Sequence, residues 1–459
     1  MLSCPVHVIL SHCVLATPID VASLTKIRGY VNGKVESARF FLTRVRGALE
    51  YRQISRAVER EVGMEARAFP VGHTGSCVAE KPHVLGRNPL VSVGLVINKV
   101  THACNLHCTY CNQRHPPQSP SDGFMSLDTF LAAADAVLRH TRERRVRWIF
   151  HGGEPLLLGA DWLGKAMEHA RRRASEAGIQ ITFGIQTNGT LLDPESASLV
   201  RRFGVRLGVS LDGPPEINDH TRGQTAELLR NLMMLRQMGI RCGAICVLSQ
   251  SNVGRMSEVL RFFSDIGLRS LKFNSCCESG PNLPSPLGAE DLFRAKVEIL
   301  DQMRASPRPV RDDNLIRMLE KYFAAPGDKR AEGGICAAAV CGAGRRVVGL
   351  GPEGSFYPCG RADGDGQTRL GSVTNGGLDP QTWKEALDRF HSVRPYLDQC
   401  GGCAAKKICS FGCAAYEKLD PEFFRRECLW TRMLFDHLRL HEDEARHVFT
   451  VTKRRNGIP

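Results

Sequence analysis

Cys104-Asn105-Leu106-His107-Cys108-Thr109-Tyr110-Cys111 is the stretch around which the chain is organised. It follows an apolar run, Val91 to Val100, that reads as a buried strand. Three thiols therefore fall in one short loop beyond a strand's carboxyl end. Such a loop can hold three irons of a [4Fe–4S] cube and offers no fourth cysteine. A structural cluster or zinc site normally closes its coordination with a fourth Cys or His, and His102 or His107 could do this for zinc. An iron left open points instead to a ligand that is not protein, and to chemistry at the metal.

Around this loop, residues 91 to 325 alternate strand and helix patterns. Candidate strands are Gly94–Val100, Val146–Phe150, Ile179–Ile185, Val205–Leu211, Arg241–Leu248 and Ser270–Asn274. Between the first two, apolar residues from Leu127 to Leu138 recur at helical spacing behind Ser126, a capping residue. Repeated βα units predict a parallel sheet with helices outside. Six of them make an α/β partial (β/α)6 TIM-type barrel, whose chemistry gathers where strands end. Polar motifs stand at those ends: His151-Gly152-Gly153-Glu154-Pro155, Gln186-Thr187-Asn188-Gly189-Thr190, and Ser210-Leu211-Asp212-Gly213-Pro214 followed by Arg222. Two glycines allow close backbone approach to a ligand, and a neighbouring carboxylate can accept from an ammonium group. Cys276 and Cys277, after the sixth strand, read as buried inert thiols.

Ala324 to Gly334 reads as a linker. Beyond it come Cys336, Cys341, Cys359, Cys400, Cys403, Cys409, Cys413 and Cys428. Eight thiols within about ninety residues make two complete four-thiolate clusters, or else a pair of zinc ribbons. At the other end, residues 1–90 form a small α+β segment. Asn32-Gly33 is a hairpin signal, and Tyr51, Ile54, Val58 and Val62 recur at helical spacing. A capping subdomain or a module that grips a leader peptide would suit this pattern. Cys4, Cys13 and Cys77 read as incidental.

The chain has 459 residues, which predicts two or three domains. With 42% hydrophobic and 24% charged residues it reads as globular, and no apolar run is long enough to span a bilayer. The N-terminal run Pro5 to Ala16 is interrupted by His7, Ser11 and His12, so no secretory signal is expected. Most of the eighteen cysteines are bunched in loops, which fits metal binding in a reducing, cytoplasmic compartment.

The first loop, three residues then two with Tyr110 before the last cysteine, resembles the signature of the radical S-adenosylmethionine (SAM) superfamily. The C-terminal pattern, Cys341, Gly354, Cys359, then Cys400-x2-Cys403-x5-Cys409-x3-Cys413 and Cys428, is similar to the SPASM domain of peptide- and protein-modifying members. The resemblance implies three domains: 1–90, a radical SAM barrel over 91–325 and a SPASM domain over 326–450. Its cofactors are SAM and three [4Fe–4S] clusters. Cys104, Cys108 and Cys111 would hold the first cluster, Cys336, Cys341, Cys359 and Cys413 the second, and Cys400, Cys403, Cys409 and Cys428 the third. By the same resemblance Gly152, Gly153, Glu154, Ser210, Arg222 and Tyr110 would line SAM. The formal charge of +13 shrinks by roughly five units once eleven thiolates bind three cubes, so no nucleic-acid partner is implied.

The activity implied is cleavage of SAM to a 5′-deoxyadenosyl radical that abstracts a substrate hydrogen. The expected product is a thioether or carbon–carbon crosslink in a precursor peptide or protein, with electrons from a small donor such as flavodoxin or ferredoxin. Cys341-Gly342-Ala343-Gly344 looks like the stretch found in such maturases. Sulfatase-maturing relatives form formylglycine and use an Asp directly after the Gly-x4-Cys cysteine as base, a position held here by Gly360. Formylglycine formation, peptide epimerisation and a non-enzymatic electron-transfer scaffold are the alternatives.

Overall fold

The computed structural model describes residues 88–111, 123–276, 287–325, 341–362, 368–374, 377–392, 400, 402–409, 413–415 and 421–455. The expected N-terminal hairpin and helix, Cys277, Cys336 and most of the linker lie outside the described residues.

The elements run β1 (Leu95–Thr101), α1 (Leu127–His140), β2 (Arg145–Gly152), α2 (Gly159–Glu176), β3 (Gln180–Thr187), α3 (Pro194–Phe203), β4 (Arg206–Ser210), α4 (Pro215–Thr221) and α5 (Thr225–Gln237). They continue with β5 (Cys242–Leu248), α6 (Met256–Asp265), β6 (Ser270–Ser275), α7 (Ala289–Ala305), β7 (Arg311–Asp312) and α8 (Asp313–Phe323). The six expected strands are β1 to β6, displaced at their ends by at most about two residues, as is usual for sequence-read boundaries. They form because each carries an apolar side chain at every second position that faces a helix: Val96, Val100, Trp148, Phe150, Phe183 and Val209 are all buried. The packing is aromatic at the β2 face. Phe130 of α1 lies 5.3 Å from Trp148 and 5.8 Å from Phe150, and Phe150 lies 6.2 Å from Phe183. Helix starts follow their caps. Ser126 Oγ accepts from Thr129 N–H at 3.1 Å, and Asp193 closes a reciprocal capping box with Ser196 ahead of Pro194.

Strands from the cysteine-rich region extend this sheet, which the sequence did not suggest. β8 (Val347–Leu350), β9 (Ser355–Tyr357) and β10 (Gly371–Ser372) follow, then α9 (Pro380–His391), α10 (Pro421–Leu440) and α11 (Glu442–Arg455). The ten strands are ordered β10-β9-β8-β1-β2-β3-β4-β5-β6-β7. β8 through β7 are mutually parallel, with Leu95 opposite Val347 and Ile97 opposite Gly349, while β9 and β10 are antiparallel additions. The result is a partial barrel with an added hairpin beside its first strand. Gly354, at φ +84°, makes the turn between β8 and β9 that a side chain would strain. At the opposite side α10 packs on α7, and Lys296 of α7 forms a buried ion pair with Asp312 at 2.7 Å. Asp312 also caps α8 by accepting from Asn314 N–H at 3.0 Å.

Candidate active site

The loop after β1 carries Cys104, Cys108 and Cys111 across the carboxyl end of the sheet, and three neighbouring strand ends hold it there. The first is the turn after β2. Gly153 N–H donates to Thr101 O and Glu154 N–H to Ala103 O, both at 2.8 Å. A Cβ on Gly152 would lie 2.2 Å from Thr101 O, and one on Gly153 would lie 1.9 Å from Ala103 O. The glycine pair is thus required by the backbone of the cysteine loop itself. The sequence shows no sign of this nearer partner.

Glu154 is fully buried, and its carboxylate accepts three hydrogen bonds from the protein. Oε1 accepts from Leu156 N–H at 3.0 Å and from Thr187 Oγ1 at 2.7 Å; Oε2 accepts from Asn188 N–H at 2.7 Å. Burial pushes its pKa up despite those three donors. The side chain therefore fastens the β2 turn to the end of β3.

The end of β3 is the second support. Asn188 Nδ2 donates to Asn105 Oδ1 at 2.8 Å and reaches Cys104 Sγ at 3.8 Å, while Asn105 Nδ2 donates to Thr190 Oγ1 at 2.8 Å. Leu106 N–H also points to Cys104 Sγ, at 3.4 Å. Donors aimed at a sulfur suit a thiolate. Gln186 donates from Nε2 to Ser210 Oγ at 3.0 Å, and a Cβ at Gly208 would lie 2.4 Å from Gln186 Oε1. Ser210 is half-buried at the tip of β4.

The third support, beyond β4, is the one that reading the sequence left without a role. Asp212 is fully buried. Its Oδ2 accepts from Tyr110 OH, from Thr221 Oγ1 at 2.9 Å and from Arg222 Nε at 3.0 Å, and its Oδ1 accepts from Val247 N–H at 2.9 Å. Arg222, its side chain 9% exposed, lies over the Tyr110 ring at 5.2 Å and brings Nη1 to 4.0 Å from Cys108 Sγ. Thr109 N–H bonds Thr221 O at 2.9 Å, a second link between the cysteine loop and α4. Burial opposes the Arg222 charge, but Asp212 and the neighbouring acidic groups hold its pKa above the usual value. Burial raises the Cys108 thiol to about 11 against the pull of Arg222, with smaller contributions from the Cys111 and Cys104 charges. Cys104 is raised as well, by burial first. The three sulfurs feel one another's charge, and a cluster's positive irons are what would offset it. The donor set fits a bound [4Fe–4S] group.

The C-terminal cysteines gather in two groups. Cys341, Cys359 and Cys413 pack on a small core of Ala343, Ala362, Phe390, Ala414 and Ala415. Burial, then the charges of Cys413 and Cys341, raises Cys359 to about 12. Cys336, their expected fourth member, lies outside the described residues. Cys400, Cys403, Cys409 and Cys428 form the other group. Burial and the Cys409, Cys400 and Cys403 charges raise Cys428 to about 11. The first group abuts the barrel: a Cβ on Gly349 would lie 2.5 Å from Cys359 O, and one on Gly360 would lie 2.4 Å from Ile97 Cγ2. Cys276 is half-buried at the end of β6.

Residues 98–263 match the Radical SAM superfamily model. The serine-type anaerobic sulfatase-maturating enzyme of Klebsiella aerogenes is 27% identical over 347 residues, 72% of this chain and 81% of that protein. Among solved structures, native anSMEcpe with bound AdoMet and Cp18Cys peptide superposes with a TM-score of 0.63 at 21% identity, covering 76% of this chain and 98% of that one. Streptococcus suis SuiB bound to its precursor peptide SuiA gives 0.53 at 15% identity, covering 83% and 88%. These likenesses support the barrel with its cysteine-rich extension.

Proposed function

We propose, for a chain whose residues 98–263 are a radical SAM domain and which is an enzyme of the maturase type, that it installs a thioether or carbon–carbon crosslink in a ribosomally made peptide or protein. When bound, a [4Fe–4S] cluster and SAM supply a carbon-centred radical that removes a hydrogen atom from the substrate. Cys104, Cys108 and Cys111 would hold that cluster, with Asn188, Leu106 and Arg222 donating to the sulfurs. Ser210 and Arg222 would face SAM. Glu154 takes two of its three donors on Oε1 and one on Oε2, so its carboxylate keeps acceptor capacity and would meet SAM's ammonium beside the Gly152 and Gly153 backbone. Cys336, Cys341, Cys359 and Cys413, and separately Cys400, Cys403, Cys409 and Cys428, would hold two further clusters suited to accepting the electron a substrate radical gives up. A small flavodoxin- or ferredoxin-like donor would supply the first electron. Among the described residues no helix is long and apolar enough to cross a membrane.

One observation carries the choice of crosslink. The position after Cys359, where formylglycine-forming relatives resemble one another in placing an Asp base, is Gly360, and Ile97 occupies the space a side chain would need. A formylglycine product remains the second reading, favoured by the names of the sulfatase-maturing relatives. Anaerobic incubation with SAM, reductant and a Cys-rich or aromatic-rich peptide tests both. Loss of two hydrogens from the peptide, with no product captured by a hydrazide, supports the crosslink. A hydrazide-reactive aldehyde sinks it in favour of formylglycine.

A further inference from the structure

We infer that Asp212 is a positioning residue that sets the charge beside the cluster loop: it anchors Arg222 and Tyr110 against Cys108 and cancels the guanidinium, keeping the reduction potential of the cluster on Cys104, Cys108 and Cys111 low. This rests on the reading above.

The geometry demands an anion. Two carboxylate oxygens take four donors: the Val247 N–H on Oδ1, and the Tyr110 hydroxyl, the Thr221 hydroxyl and Arg222 Nε on Oδ2. An amide has one acceptor oxygen and would turn its NH2 against one of these two sets. The backbone of Asp212 is equally fixed, since its N–H donates to Asn218 Oδ1 at 3.0 Å and its C=O accepts from Asn252 Nδ2 at 3.1 Å. The carboxylate is thus held by β5 and α4 and in turn holds the aromatic of the cysteine loop and the cation at Cys108. A cation beside a cluster sulfur favours the reduced, more negative cluster; its neutralisation by a buried carboxylate reverses that bias. A low potential is what one-electron cleavage of SAM requires of the donor.

The test compares Asp212→Asn, Arg222→Gln and the double variant in the full chain. Iron and sulfide are assayed, and redox titration is followed by EPR on the signal that changes when SAM is added. Asp212→Asn should shift that midpoint potential upward, Arg222→Gln should shift it downward, and the double variant should return close to wild type, a reversal that mere loss of packing would not produce. If Asp212→Asn sheds its iron, the other two variants decide, with a native potential in the double variant supporting the inference. Unchanged potentials, or single-variant shifts of the same sign, would overturn it while a SAM-responsive wild-type signal leaves the functional reading intact. A wild-type protein with no such signal would overturn both.

Discussion

Replacing Gly153 by alanine should detach the cysteine loop from the barrel without unfolding the protein. The new Cβ would lie 1.9 Å from Ala103 O, 2.5 Å from its carbonyl carbon and 2.7 Å from His102 O, all main-chain atoms that cannot rotate aside. Relief requires the 101–103 segment to withdraw, which breaks the Gly153-to-Thr101 and Glu154-to-Ala103 hydrogen bonds. Two such bonds contribute about 2 kcal/mol, and overpacking adds about 1–3, giving roughly 3–5 kcal/mol in total. That is below the usual stability of a domain of about 5–15 kcal/mol, so the strain is released locally. Gly159→Ala is the control. Gly159 has φ +77° and ψ 164°, a region essentially confined to glycine, but nothing within 4 Å of its Cβ position, so its cost is backbone strain alone, about 1–3 kcal/mol. Reconstituted Gly153→Ala should lose the SAM-responsive EPR signal and about a third of its iron, with the signals of the other two clusters retained. Gly159→Ala should keep all three. Equal iron content and equal urea midpoints in the two variants would refute the claim that the glycine pair serves the loop.

Further outcomes follow from other parts of the fold. Lys296→Met leaves Asp312 buried without its cation and should cost about 3–5 kcal/mol by urea titration. A cost below about 1 kcal/mol would mean that water compensates the carboxylate. Cys403→Ser should remove about four irons of about twelve and leave SAM cleavage running while crosslinked peptide declines, read by iron assay and mass spectrometry. Undiminished crosslinking would exclude that group as the electron acceptor. His437 is held down to about 4, by burial and then by His441. Its native imidazole therefore resists a proton that the unfolded chain accepts, and stability should fall as pH drops from about 6.5 to about 4, by up to about 3 kcal/mol. His437→Gln should flatten that slope in pH-dependent urea titrations; an unchanged slope would assign it to other groups.

The barrel was readable because its strands place a buried apolar residue at alternate positions, lie between helical patterns and end in polar motifs. β8 was not, since four residues, Val347 to Leu350, give no periodicity, and their partner β1 lies about 250 residues earlier in the chain. The cysteine spacings carried most of the site's chemistry. What they could not carry was contact: nothing in His151-Gly152-Gly153-Glu154 signals that Thr101 and Ala103 pack against it. Asp212 stood in a quoted motif with no role because its donors come from β5, α4 and the cysteine loop, segments joined only by folding. Arg222 was given to SAM by resemblance, and the sequence held no sign that its Nε and Nη1 are also directed at Asp212 and Cys108.

The pairing of β8 with β1 also orders events during synthesis. β1 can pair with β2 as soon as residues near 152 emerge, but its other edge waits for Val347–Leu350. Until then a row of unpaired backbone groups beside the cysteine loop faces solvent, the kind of edge on which nascent chains aggregate. Contacts so distant in sequence also form slowly. The yield of folded protein should therefore depend on how fast the last quarter of the chain is made and docked. Truncation just before Val347 should give insoluble protein, although every strand from β1 to β7 would still be present.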